Sequence, residues 1–150
     1  MTDLIYFDTS HAIDTHNKII EISGGKLGTR DMGLIDSVLA HVRNDDYYPT
    51  FYEKLTHIVY SIIMNHAFDD GNKRSSIALG GFFLTINGYE KRVGVFILEM
   101  ENIVLWVARK KIDKKFLLII ITSLVQYGEI QEEVKLRLLE ALSSRVSKLL

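Results

Sequence analysis

Nine consecutive residues, His66-Ala67-Phe68-Asp69-Asp70-Gly71-Asn72-Lys73-Arg74, concentrate an imidazole, two carboxylates, an amide and two adjacent cations around one glycine. His66 can take a proton from an attacking hydroxyl. Asp70 is an oxygen ligand of the kind suited to Mg²⁺, which would bridge phosphates. A helix beginning at Gly71-Asn72 presents free amides and the positive end of its dipole, together an anion site. Gly71 would let an anionic ligand come close. Lys73 and Arg74 in that first turn are unfavourable beside the dipole, so their presence implies a compensating anion. Arg74 can hold phosphate oxygens through two donors, while Lys73 acts as a point charge. Phe68 would pack inward and fix the turn. Each group has a plainer use alone, as a capping histidine, an N-capping aspartate or a solvated pair of cations. Their coincidence in one turn is what a nucleotide-phosphate site with its own base explains.

Two apolar helices must hold this turn. Residues 51–65 carry Phe51, Leu55, Ile58, Val59, Ile62 and Ile63 on one wide face, opened by the capping box Thr50-x-x-Glu53. This is read as the central helix, and it delivers His66. The second runs from Gly71 or Asn72 to Asn87-Gly88 and is apolar nearly all round. Gly80-Gly81 inside it costs about 1 kcal/mol per glycine, which close approach of a neighbouring helix would offset.

The rest of the chain also reads as helical. A helix starts near Asp8 or Ser10, repeats Ile13, His16 and Ile20, and stops at Gly24-Gly25. A mobile hairpin or loop follows, then a short helix from Met32 with Leu34, Ile35, Val38 and Leu39 inward. Residues 95–109 are read as a helix with Leu98, Ile103 and Trp106 on the core side. Asp113 caps another that ends near Gly128, although its run Ile119-Ile120-Ile121-Thr122 would also suit a strand. Residues 130–150 are amphipathic, with Val134, Leu138, Leu142 and Val146 in one stripe.

A chain of 150 residues suits one mostly α-helical domain, with a core over about residues 8–128 and an added C-terminal helix over about 130–149. The net charge of −1 argues against a nucleic-acid coat or a basic membrane binder. With no cysteine there are no disulfides or thiolate metal sites, which suits a reducing cytoplasm. Neither a signal peptide nor a run long enough to span a bilayer is visible.

The pattern His66-x-Phe68-x-Asp70-Gly71-Asn72-Lys73-Arg74 resembles the signature of the Fic/Doc family, closest to its Doc (death-on-curing) branch. Upstream, Gly24-Gly25…Gly28-x-Arg30-Asp31-x-Gly33-Leu34 is similar to the flap segment of Doc-like proteins. The resemblance spans about residues 8–90. It implies a mainly α, Fic/Doc-like helical bundle with a short β-hairpin flap before the second helix. It also implies His66 as general base, Asp70 as the Mg²⁺ ligand, and Gly71 with Asn72 as an anion hole. Arg74 would bind phosphate, and a flap of Lys26, Leu27, Gly28, Thr29 and Arg30 would align the target polypeptide.

The implied activity is that of a toxin that uses ATP and Mg²⁺ to modify a Ser/Thr hydroxyl of a protein. By family analogy the target is a translation factor such as elongation factor Tu. Nucleotidyl-transferring members have glycine where Lys73 stands and a second arginine where Ile77 stands; the Doc branch shares the lysine. Lys73 therefore favours kinase-like phosphotransfer over AMP transfer. Gly71, often alanine in the Doc branch, keeps the nucleotidyl alternative open, as does a catalytically inactive binding module. No Ser or Thr has Glu four residues later, so the inhibitory motif of self-restrained Fic proteins is missing and a separate antitoxin is implied.

Weaker signals remain. The basic cluster Arg109, Lys110, Lys111, Lys114 and Lys115 suits a solvated helix end, with docking of an acidic antitoxin or nucleic acid as the alternative. His57 lies 2.5 turns from His66, on the opposite helix face, which argues against a two-histidine metal site. His11, His16 and His41 show no ligand spacing and read as surface or core residues. Tyr47, Tyr48 and Tyr52 could border a groove or simply pack. The C-terminal stripe either closes the core or offers a surface to an antitoxin or a second copy.

Overall fold

The computed structural model describes residues 3–29 and 31–149, with side chains up to residue 143. Helix α3 (Phe51–Asn65) is its axis, packed on by α2 (Met32–His41), α4 (Asn72–Ile86), α5 (Glu90–Ala108) and α6 (Lys114–Tyr127). The helix α1 (Thr9–Ser23) lies against α4 and α2, and α7 (Glu132–Leu149) rests on α6. One continuous apolar core runs from Phe7 to Val134. No helix among the described residues is long and apolar enough to cross a membrane.

Local chemistry sets these boundaries. Thr50 accepts from the Glu53 amide (3.1 Å) and so starts α3 as its capping sequence implies. Lys54 in α3 is fully buried, yet satisfied: its ammonium donates to the Val42 carbonyl at 2.9 Å and to Asp45 at 2.7 Å. That pairing ties α3 to the turn that leaves α2. Asp113 accepts from the Phe116 amide to start α6, and Gly128 in the left-handed conformation ends it. The β-branched run is helical, and Ile120 and Ile121 are buried, so tertiary packing overrides its strand preference. Gly80 is where α4 meets its neighbours: a Cβ there would lie 2.8 Å from the Phe96 ring and 3.1 Å from Val59.

Two expectations need correction. The α5 helix begins at Glu90 rather than near Val95, and Leu98 is 66% exposed. Its inward face is Phe96, Met100, Ile103, Val104 and Val107, a spacing that places Leu98 nearly opposite Phe96. Trp106 is only partly buried at the edge of that face. The expected β-hairpin flap is also not formed. Among the described residues here no strand pair forms, and Gly24, Gly25 and Gly28 with positive φ break up the extended backbone. Instead Thr29 makes a single antiparallel bridge to Phe68. Around it the Asp69 amide donates to the Gly28 carbonyl (3.2 Å) and the Asp31 amide to the Ala67 carbonyl (3.1 Å). The flap pairs with the chemistry-bearing turn, not with itself.

The C-terminal stripe is partly seated. Val134 is buried, and Leu138 and Ala141 pack on the core, while Leu136 and Leu139 stay exposed. The Val146 side chain lies outside the described residues.

Candidate functional site

Helix α3 ends at Asn65, and His66 turns the chain in a left-handed conformation (φ 50°, ψ 49°). A non-glycine residue held there costs about 1–2 kcal/mol, so the turn is set by its surroundings. The His66 side chain is exposed, whereas Ala67 and Phe68 behind it are buried. Asn72 fixes this loop from the next helix. Its side-chain oxygen accepts from the Phe68 amide (3.1 Å) and its amide nitrogen donates to the Phe68 carbonyl (3.0 Å). The Asn72 side chain thus commits its oxygen and one of its two N–H donors to the loop.

Gly71 precedes α4 at φ 77°, and no side chain caps that helix. The first-turn amides of α4 are therefore left without a side-chain acceptor, which is what an anion site at that helix start would require. A side chain at Gly71 would be strained at its positive φ and would press on Ile20 of α1, 3.0 Å from its Cβ. Asp70 accepts from the Gly71 amide (2.8 Å) and from the Lys26 amide of the flap (3.1 Å). Those two donors, Lys26 first and Gly71 next, hold its carboxyl below the usual carboxylate range, with the Arg74 guanidinium adding to them. It is ionised at neutral pH and half exposed.

Arg74 reaches across the same turn. One guanidinium nitrogen donates to the Ser23 hydroxyl and to the Gly24 carbonyl (3.1 Å), and another lies 4.0 Å from Asp70. The end of α1 and the start of the flap therefore engage both Asp70 and Arg74. Gly25 and Gly28 make this approach feasible, since a Cβ would fall 2.5 Å from Asp70 at the first and 2.3 Å from Asp69 at the second. Lys73, in the first turn, is exposed. Leu27 is 62% exposed at the flap's tip, and Arg30 lies outside the described residues.

Asp70, Gly71, Asn72, Arg74, Phe68 and flap residues Lys26, Gly28 and Thr29 thus come together around one turn, which His66, exposed, begins at the end of α3. Sequence reasoning passed over one member. His16 of α1 is fully buried; its ring stacks on Phe68 (3.9 Å, 3° between planes), and its Nε2 lies 2.5 Å from the Asp70 carbonyl oxygen. The available signal was a polar residue on the apolar stripe of a helix. Metal-ligand spacing could not reveal a contact made across 54 residues.

The donor set fits Mg²⁺ held jointly with a ligand's phosphates. Among the described residues no group of three or more His, Asp or Glu could enclose a metal, whereas Asp70 is an ionised carboxylate beside an uncapped helix start. Elsewhere, Tyr47 and Tyr48 line a cavity of about 240 Å³ with Lys114 and Lys115, and Lys110, Lys111 and Arg137 line another of about 710 Å³. Buried His57 stacks on Tyr48 (4.2 Å), with Nδ1 3.2 Å from the Lys114 ammonium.

A helix-delivered histidine, a loop clamped by the following asparagine, and an uncapped helix start flanked by Asp70 and Arg74 define a recognisable class. The Fic/DOC family matches residues 6–84, from just before α1 to within the last turn of α4, and the chain belongs to that family. Within it, the chain is 35% identical over 94 residues to Toxin Doc of Mycolicibacterium smegmatis, covering 60% of this chain and 72% of that protein.

Proposed function

We propose that this protein is a Doc-like toxin that transfers the γ-phosphoryl group of ATP to a Ser or Thr hydroxyl of a protein target, by analogy a translation factor such as elongation factor Tu. A separate antitoxin restrains it in the cytoplasm. The observation that carries this reading is the convergence of Asp70, Arg74 and the α4 N-terminus on one turn reached by His66. Family membership and the likeness to Toxin Doc support it.

In this reading the target hydroxyl approaches past the flap, and His66 takes its proton as the oxygen attacks the γ-phosphorus. The bond to the bridging oxygen breaks and ADP leaves. The first-turn amides of α4 and the Arg74 guanidinium hold the phosphate oxygens as charge builds on them. Mg²⁺, held by Asp70 with the phosphates, would supply further neutralisation of that charge. Lys73 projects its ammonium from the same turn and favours the polyphosphate in the orientation that presents its γ end. The exposed Leu27 at the flap tip offers an apolar contact for the target chain.

A second reading, transfer of AMP, is kept open by one residue: Gly71 stands where the Doc branch often has alanine. Expression of the chain without a partner tests the enzymatic account. Growth arrest that His66→Ala and Asp70→Ala each relieve supports it. Arrest that survives both substitutions turns the account toward an inactive binding module.

A further inference from the structure

Histidine 16 is a buried polar residue that the proposed chemistry does not use. It comes from α1, far from the signature in sequence, and enters the turn from behind. The Asp70 carbonyl is an acceptor, so the 2.5 Å contact requires Nε2 to carry the proton and donate it. Nδ1 is buried with no partner. A phenylalanine would stack on Phe68 as well and bury no polar atom. The ring's distinctive contribution is therefore the Nε2–H bond.

That bond controls a peptide plane. In a trans peptide the carbonyl and the following N–H point in opposite directions. With the Asp70 carbonyl held inward against His16, the Gly71 N–H must face outward. There it donates to the Asp70 carboxylate (2.8 Å), on the side of the uncapped helix start. Glycine at 71 otherwise leaves this peptide free to turn over, since both signs of φ are open to it. A turned peptide would aim a carbonyl oxygen at the anion site and repel phosphate.

We propose that His16 is a positioning residue that locks the Asp70–Gly71 peptide with its N–H toward the phosphate side, so keeping the anion site donor-lined. The inference deepens the phosphotransferase reading and rests on it for its functional consequence. Its geometric content stands independently.

Three forms of the protein test it: wild type, His16→Phe and His16→Gln. Phenylalanine keeps the ring stack and loses the donor, whereas glutamine keeps an N–H donor and loses the ring. Calorimetry with ATP and Mg²⁺ should show binding weakened about 10- to 100-fold in His16→Phe and largely restored in His16→Gln. Folding midpoints should not follow that order. In wild type, nitrogen-15 spectra of the ring should place the proton on Nε2, and its signal should resist solvent exchange. A proton on Nδ1, or His16→Phe binding as well as wild type, overturns the proposal. Should wild type itself bind no ATP with Mg²⁺, the phosphotransferase reading falls, and the ring-nitrogen spectrum still decides the His16 lock.

Discussion

Gly25, just before the flap, is the position where a side chain would meet Asp70, as one at Gly28 would meet Asp69. An alanine Cβ there would lie 2.5 Å from the Asp70 carboxylate, 3.1 Å from Ile20 and 3.3 Å from Arg74, at φ +121°. Its neighbour Gly24 also has positive φ (+82°), but a Cβ there meets nothing within 4 Å. Gly24→Ala therefore reports backbone strain alone, about 1–3 kcal/mol. Gly25→Ala adds an overlap whose cost is about 1–3 kcal/mol more. The Asp70 side chain can yield only by giving up the Lys26 and Gly71 amides.

The flap need not bear that cost in full, because it can lift away. Doing so sacrifices the Lys26 bond to Asp70, the Arg74 bond to the Gly24 carbonyl and the bond from the Asp69 amide to the Gly28 carbonyl. Local opening thus limits the loss of global stability. Trypsin should cleave after Lys26 or Arg30 about tenfold or more faster in Gly25→Ala than in Gly24→Ala, since about 1.4 kcal/mol is tenfold. The urea midpoints of the two variants should differ little. In an Asp70→Ala background the difference in cleavage should shrink, because the atom met at 2.5 Å is gone. Equal cleavage of the two glycine variants would refute the packing of the flap on Asp70.

Two further predictions concern stability. His57 is buried, and burial first, then the Lys114 charge, lowers its pKa from 6.5 to about 4. The unfolded chain then binds a proton below pH 6.5 that the folded chain refuses until about pH 4. Its contribution, at most about 3 kcal/mol, is complete above pH 6.5 and is lost as pH falls through that window. Urea midpoints at pH 7 and 4.5 should diverge less in His57→Gln than in wild type; equal divergence would remove His57 as the cause. The α4 glycines should respond in opposite directions. Gly80→Ala meets the Phe96 ring at 2.8 Å and should destabilise by about 1–3 kcal/mol, whereas Gly81→Ala makes ordinary contacts at 3.7 Å and should stabilise by up to about 1 kcal/mol. Thermal midpoints that move the same way would count against this packing.

Elements whose ends carry their own chemistry were legible in the sequence. Thr50 starts α3, Asp113 and Gly128 bound α6, and Gly71 and Asn87 bracket α4, all by side-chain or backbone devices local to a few residues. What was not legible depends on partners distant in sequence. The phase of α5 is set by Phe96 fitting against Gly80, so a reading of α5 alone put Leu98 inward. The flap was read as pairing with itself because its strand partner, Phe68, lies 39 residues on. His16 was set aside for the same reason. Within the signature, the sequence marked the residues but not their division of labour: Asn72 spends its side chain on the Phe68 backbone, and the flap holds Asp70 and Arg74.

The identity of the transferred group is the central claim, and Lys73 is the residue on which it turns. Incubating the protein, Mg²⁺ and a cell-free translation extract with ATP labelled separately at the α and γ phosphates tests it most directly. The account predicts a protein band carrying the γ label alone, lost in His66→Ala. A band carrying the α label, or a γ-labelled band that persists in His66→Ala, contradicts it.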